Sequence, residues 1–129
     1  KPTVFTYNSV LNACATSAEF DMDVRSKAFE IAIRTFNELR NSREKPDHVT
    51  YGRMIQCSNL LPEGDKRNAV LINSFKMCCK EGLLNSYVLR DLQESAQESI
   101  WRALVGVSDG DVNIEDLPAE WSRGTSKKR

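Results

Sequence analysis

Lys45-Pro46-Asp47-His48-Val49-Thr50-Tyr51 decides how this chain is divided, because the sequence also opens with Lys1-Pro2-Thr3-Val4-Phe5-Thr6-Tyr7. Each copy reads as one helix ending, a proline stop and a new helix starting. Proline has no N–H to donate and holds the residue before it extended. Thr3 and Asp47 follow as N-cap candidates, with oxygens able to accept the free N–H groups of a first turn. A helix boundary that recurs points to a repeat.

Working outward, two further blocks line up. Tyr7-Asn8-Ser9-Val10-Leu11-Asn12-Ala13-Cys14 matches Tyr51-Gly52-Arg53-Met54-Ile55-Gln56-Cys57-Ser58. Ala32-Ile33-Arg34-Thr35-Phe36 matches Leu71-Ile72-Asn73-Ser74-Phe75, which pairs Phe36 with Phe75. The blocks keep their order while the spacers between them vary. That pattern is expected of two copies of a helix–turn–helix unit.

Apolar spacing predicts the helices. Over 4–16, Tyr7, Val10, Leu11 and Cys14 form a stripe, while Asn8 and Asn12 share the opposite face. Ser17 to Arg25 is an acidic spacer, expected to sit outside the packed helices, since lengthening a surface loop costs only about 0.6 kcal/mol per doubling. The second helix is expected over 26–43, carrying Phe29, Ile33, Phe36 and Leu39 inward. The third, over 48–60, places Tyr51, Met54, Ile55 and Ser58 inward and Gly52, Gln56 and Asn59 on its other face. Pro62-Glu63-Gly64-Asp65 is a turn cluster, and a fourth helix over 66–80 ends at Gly82 as its cap. Two short helices are expected over 86–95 and 97–105. In the tail from Val107, Ile114, Leu117 and Trp121 can tack the segment onto the last helices. Beyond Arg123, disorder is expected at least as much as order.

Composition narrows the classes. At 129 residues the chain is one domain at most. Its 18 basic residues are balanced by 18 acidic ones, and the region through Gly106 carries 14 against 13, so no basic surface announces nucleic acid. No apolar run approaches the roughly 18 residues of a membrane span, so no membrane association is expected. The chain begins at Lys1 without Met, and is expected to be an excerpt of a longer protein. Cys14, Cys57, Cys78 and Cys79 form no CxxC pair, and adjacent Cys78 and Cys79 diverge by about 100° on a helix. Reduced, buried thiols are the expectation, with no metal and no cofactor.

The V-x-T-Y-N-x-L opening, the A-x-x-x-F-x-x-L block and the K-P-D ending resemble the pentatricopeptide repeat. Val4 to Asp47 resembles one copy, with an inserted spacer, and His48 to Ser86 a second, degenerate one whose Pro-Asp ending has become Asn85-Ser86. Residues 87–106 resemble a partial, capping helical unit, and 107–129 form the tail. The resemblance implies an all-α, right-handed superhelical solenoid, similar to tetratricopeptide arrays. It also implies single-stranded RNA as partner, read about one base per repeat by a few side chains. The reading pair in this family is the residue after the motif tyrosine with the last residue of the repeat. In the first copy these are Asn8 and Asp47, a combination that favours uridine. In the second they are Gly52 and Ser86, from which no selectivity is expected. Val4 and His48 match the position that sandwiches bases, and Asn12 lies on the same face as Asn8. Read from the residues alone, Asn8 is equally a solvated helix residue and Asp47 an N-cap.

No Gly-rich phosphate loop, HExxH or Ser-centred elbow is present, so neither an enzyme nor a small-molecule substrate is expected. Asp109, Asp111 and Asp116 are read as solvated, and lone His48 as neither catalytic nor metal-binding. The resulting expectation is a sequence-selective RNA-binding module of a longer organellar factor, mitochondrial or chloroplast, acting in RNA processing, stability or translation. The competing expectation is a protein-binding helical scaffold, with other proteins as partners. Balanced charge favours it; the T-Y-N and K-P-D signatures oppose it.

Overall fold

The computed structural model describes residues 1–125; the basic Lys127, Lys128 and Arg129 lie outside the described residues. Six α-helices form, and among the described residues there is no strand. They are α1 (Val4–Ala15), α2 (Met22–Arg40), α3 (His48–Cys57), α4 (Asp65–Lys80), α5 (Ser86–Ser95) and α6 (Glu98–Val105). Short 3₁₀ turns extend α1 through Glu19 and α3 through Leu60, and two more occupy Ile114–Asp116 and Ala119–Ser122 in the tail.

The recurring helix starts are made by the same device. Thr3 Oγ1 accepts from Thr6 N at 3.3 Å, and Asp47 Oδ1 from Thr50 N at 3.0 Å. In return Thr6 and Thr50 accept from the cap backbones at 3.3 and 3.1 Å, closing a reciprocal capping box each time. Asn85 caps α5 alike, its Oδ1 accepting from Val88 N at 3.0 Å. Helix α4 ends as the sequence indicates: Gly82 takes φ 75°, where an L side chain is strained. The N–H groups of Gly82 and Leu83 then reach the carbonyls of Cys79 and Cys78, both at 3.0 Å.

Helix α1 packs on α2 and α3, and α3 packs on α4 and α5, so α1, α3 and α5 lie next to one another in that order. Phe36 of α2 and Phe75 of α4 are both buried. The Phe36 ring meets Tyr51 edge to face at 5.9 Å and 72°; Phe75 meets Trp121 at 5.9 Å and 90°. Leu11, Ala32, Ile55, Leu60, Leu84 and Leu92 close the core around them.

Several expectations are corrected. The 17–25 spacer is exposed over residues 19–24, as expected, but it is not an open loop. Asp21 caps α2 by accepting from Val24 N at 3.1 Å, so the helix begins at Met22, ahead of the expected Ser26. Arg25 then ties that end to α3's extension, Nη2 donating to Asn59 O at 2.9 Å. Val10 is exposed, because α2 and α3 take the faces of α1 that carry Leu11 and Cys14. The other face of α3 is occupied by α5, so Gly52 is buried, Gln56 Nε2 donates to Asp91 and Asn59 Nδ2 to Ser95. The tail docks as expected through Leu117, Trp121 and half-buried Ile114. Beyond Arg123 only Gly124 and Thr125 are described, and the rest of the segment for which disorder was expected lies outside the described residues. Leu84 N donates to Trp121 O at 2.9 Å and Gly124 N to Gly82 O at 2.7 Å.

All four cysteines are free and buried. Burial pushes the Cys57 and Cys79 thiols up to about 12, and Cys14 and Cys78 up as well. Asp109, Asp111 and Asp116 are exposed, and Asp116 Oδ2 accepts from Asn113 N at 3.0 Å as part of a turn cap. Among the described residues no group of three His, Cys, Asp or Glu side chains could hold a metal, and no helix is long and apolar enough to cross a membrane.

Candidate nucleic-acid interface

Because α1, α3 and α5 lie side by side, two grooves run between successive members. The first, of 390 Å³, lies between α1 and α3 and is lined by Val4, Phe5, Asn8, Asn12, Asp47 and Arg53, among others. The second, of 570 Å³, lies between α3 and α5 and includes His48, Arg53, Gln56, Tyr87, Arg90 and Asp91. Counting from each N-cap, the α1 positions lining the first groove recur in α3 lining the second. Val4 corresponds to His48, Phe5 to Val49, Ser9 to Arg53 and Asn12 to Gln56.

The structure brings Asn8 and Asp47 together, but not as two free side chains facing solvent. Asn8 is only 7% exposed. Its Nδ2 donates to Asp47 Oδ1 at 3.0 Å, and its Oδ1 accepts from Thr50 Oγ1 at 2.7 Å. Asp47 therefore caps α3, as the sequence alone indicated, and also accepts from Asn8. Its Oδ1 is used by Asn8 and by Thr50 N, while Oδ2 makes no hydrogen bond among the described residues. The first groove thus has a free carboxylate oxygen, held in place by a network whose other members are buried. Asn12 is exposed one turn along the same groove, and Val4 and His48 are half-buried at their helix starts. Val4 N donates to Glu44 Oε1 at 2.8 Å, which ties the α1 entry to the α2–α3 connection.

The expected Gly52 and Ser86 pairing is corrected. Asn85, not Ser86, caps α5 as Asp47 caps α3, and Ser86 is an exposed first helical residue. The connection from α4 to α5 is one residue shorter than the motif alignment assumed. Gly52 lies in the wall with no side chain, and Asp91 of α5 occupies the space beside it.

Five residues of these grooves escaped sequence reasoning. Phe5 and Tyr87 each stand second in their helix and are 77% and 61% exposed. The Arg90 guanidinium lies over the Tyr87 ring at 5.3 Å from its centroid. An aromatic two residues after each cap was the available signal for both rings. Arg53 faces both grooves, hidden in the sequence by the overall neutral balance. Asp91 had no sequence signal at all; burial raises its pKa, against the pull of the Arg53 and Arg90 charges.

A third groove, of 840 Å³, opens between α1 and α2, where Tyr7, Phe29 and Ile33 give it an apolar wall and Glu30, Arg34 and Asn37 a polar rim. No family model, no curated protein and no solved structure matches this chain.

Proposed function

We propose that the chain is a sequence-selective single-stranded RNA-binding module, with α1–α4 as two helix–turn–helix units stacked as in a solenoid and α5–α6 as a partial third. One observation carries the reading: successive first helices form two grooves from equivalent positions, each with an exposed ring at its edge and a carboxylate in its wall. Rings offer stacking surfaces to unpaired bases, carboxylates and amides offer hydrogen bonds to their edges, and Arg53 and Arg90 offer charge to phosphates. In the first groove Asp47 Oδ2 would accept from the imide N–H of uracil, with Asn8 fixing the carboxylate from behind. Asn12, Val4 and His48 border the path a strand would follow. As the resemblance implies, such a module serves a longer organellar factor in RNA processing, stability or translation. Titration of U-rich and C-rich oligoribonucleotides, followed by fluorescence anisotropy and by NMR of the Asn8 side-chain amide, tests it. Tighter binding of the U-rich strand with movement of that amide supports the reading; no response to either strand refutes it.

The apolar groove between α1 and α2 favours a second reading, a scaffold that binds a protein helix. An apolar peptide helix that shifts Phe29 and Ile33 resonances, with no RNA response, would select this alternative.

A further inference from the structure

We propose that the groove between α3 and α5 is a base-selective pocket of its own, taking guanine or uracil in preference to adenine or cytosine through Asp91. This rests on the RNA-binding reading and deepens it at the unit from which the motif promised no selectivity.

Gly52 stands in α3 where Asn8 stands in α1. A Cβ at Gly52 would collide with Asp91 Oδ2, so the missing side chain is what admits a carboxylate from α5. Asp91 is only 7% exposed and forms part of the groove wall. Its Oδ1 accepts from Gln56 Nε2 at 3.1 Å, and Gln56 Oε1 accepts from Arg53 Nη1 at 3.3 Å. This chain fixes the amide's orientation and holds the carboxylate. Asp91 Oδ2 makes no hydrogen bond among the described residues, and neither does Arg53 Nε, which is buried. Buried polar groups are rarely left without partners, and Arg53 Nε is such a group. Asp91 Oδ2 is not buried in that sense, so the wall presents it as an acceptor for a ligand, beside the Arg53 guanidinium.

The chemistry of that ligand follows. Guanine and uracil present a ring N–H beside a carbonyl on their pairing edges, which an acceptor and a neighbouring donor match. Adenine and cytosine present a bare ring nitrogen at the same place, and its lone pair is repelled by a carboxylate. Tyr87, with Arg90 over its ring at 5.3 Å, supplies a stacking face at the rim. Glu94, on the same groove, opposes Arg90 and limits attraction to phosphate alone, so selection falls to the base edge.

The test uses the intact chain and four oligoribonucleotides that differ only in a central G, U, A or C. Affinities are read by anisotropy, and the location of binding by NMR of the Gln56 side-chain amide and the Tyr87 ring. Wild type should favour the G and U strands by about tenfold, the scale of a charge-assisted hydrogen bond. Asp91→Asn, nearly isosteric, should bring the four within about twofold, and Gly52→Ala should do the same by displacing the carboxylate. If RNA binds and moves Asn8 while Gln56 and Tyr87 stay still, or if Asp91→Asn leaves the ranking intact, the inference falls and the first groove's role survives. Should no strand bind at all, the RNA reading falls and takes this inference with it. Even if both variants fail to fold, equal movement of Gln56 by all four strands in wild type overturns the proposal.

Discussion

Removing the Phe75 ring should destabilise the chain by about 3–5 kcal/mol, and part of that loss should be traceable to Trp121. Phe75 is 1% exposed, so the full apolar transfer, about 1.5–3 kcal/mol, is forfeited when it becomes Ala. A cavity is added to that, because Phe75 is almost fully buried and the Trp121 ring of the tail rests against it. The edge-to-face contact with Trp121, at 5.9 Å and 90°, should contribute about 0.5–1.5 kcal/mol beyond area. Urea unfolding followed by circular dichroism measures each stability, on the two-state behaviour usual for chains of this size. Phe75→Ala, Trp121→Ala and the double variant complete a thermodynamic cycle. A coupling indistinguishable from zero would refute the docking of the tail on α4. Phe36→Ala should lose a comparable amount, since its ring meets Tyr51 at the same 5.9 Å. Were either Phe variant to stay within about 0.5 kcal/mol of the parent, the shared core position of the two rings would be wrong.

Arg25→Ala should cost about 1 kcal/mol in the same assay, because Arg25 donates to Asn59 O and Leu61 O; an unchanged midpoint would mean the spacer end is not anchored. The four thiols should resist an aromatic disulfide reagent in the native state and react in urea; fast native labelling would contradict their burial. Stability should fall as pH rises from about 9 towards 12, by about 1.4 kcal/mol per pH unit for each of Cys57 and Cys79. The folded state keeps those protons after the unfolded thiols, at 9.0, have lost theirs; a flat profile by urea unfolding refutes it. Asp91→Asn should not destabilise the chain at neutral pH, since burial disfavours the carboxylate's charge, and a large loss of stability would show that its charge holds α5 in place.

The helices were legible where a local signal sets them. Proline stops, capping side chains and 3.6-residue spacing placed α3 at His48, α5 over 86–95 and the cap at Gly82. The start of α2 was misjudged because Asp21 and Arg25 read as acidic-spacer composition; what orders them is a cap and a bond to a carbonyl of α3's extension. Only the family resemblance put Asn8 beside Asp47, and the burial of Asn8 was not legible at all. Whether a polar side chain on the open face of a helix stays wet depends on how closely the next first helix approaches. Asp91 was illegible for a stronger reason. It lies in a different unit from Gly52, and only packing of α5 on α3 brings the two together.

That last contact bears on how any groove of this shape could be selective. In the α1–α3 groove the residue after the motif tyrosine is Asn8, whose bulk fills the wall and whose amide grips a carboxylate belonging to the cap of α3. In the α3–α5 groove the same position is Gly52, and the vacated volume admits a carboxylate from the body of α5 instead. Two positions differ together: Asn8 with Arg53, six residues past the α3 cap, in the first groove, and Gly52 with Asp91, six residues past the α5 cap, in the second. The acceptor therefore comes from the cap in one and from the second turn in the other. The supporting amide changes with it: Asn8 in the first case, Gln56 one turn further along in the second. Each groove keeps one carboxylate oxygen tied and one free, so a pair of positions taken from the motif describes the first groove and misdescribes the second. On the proposal made for the α3–α5 groove, a glycine at that position changes which residue supplies the acceptor, so Asp91→Asn and Gly52→Ala should lose base selectivity together.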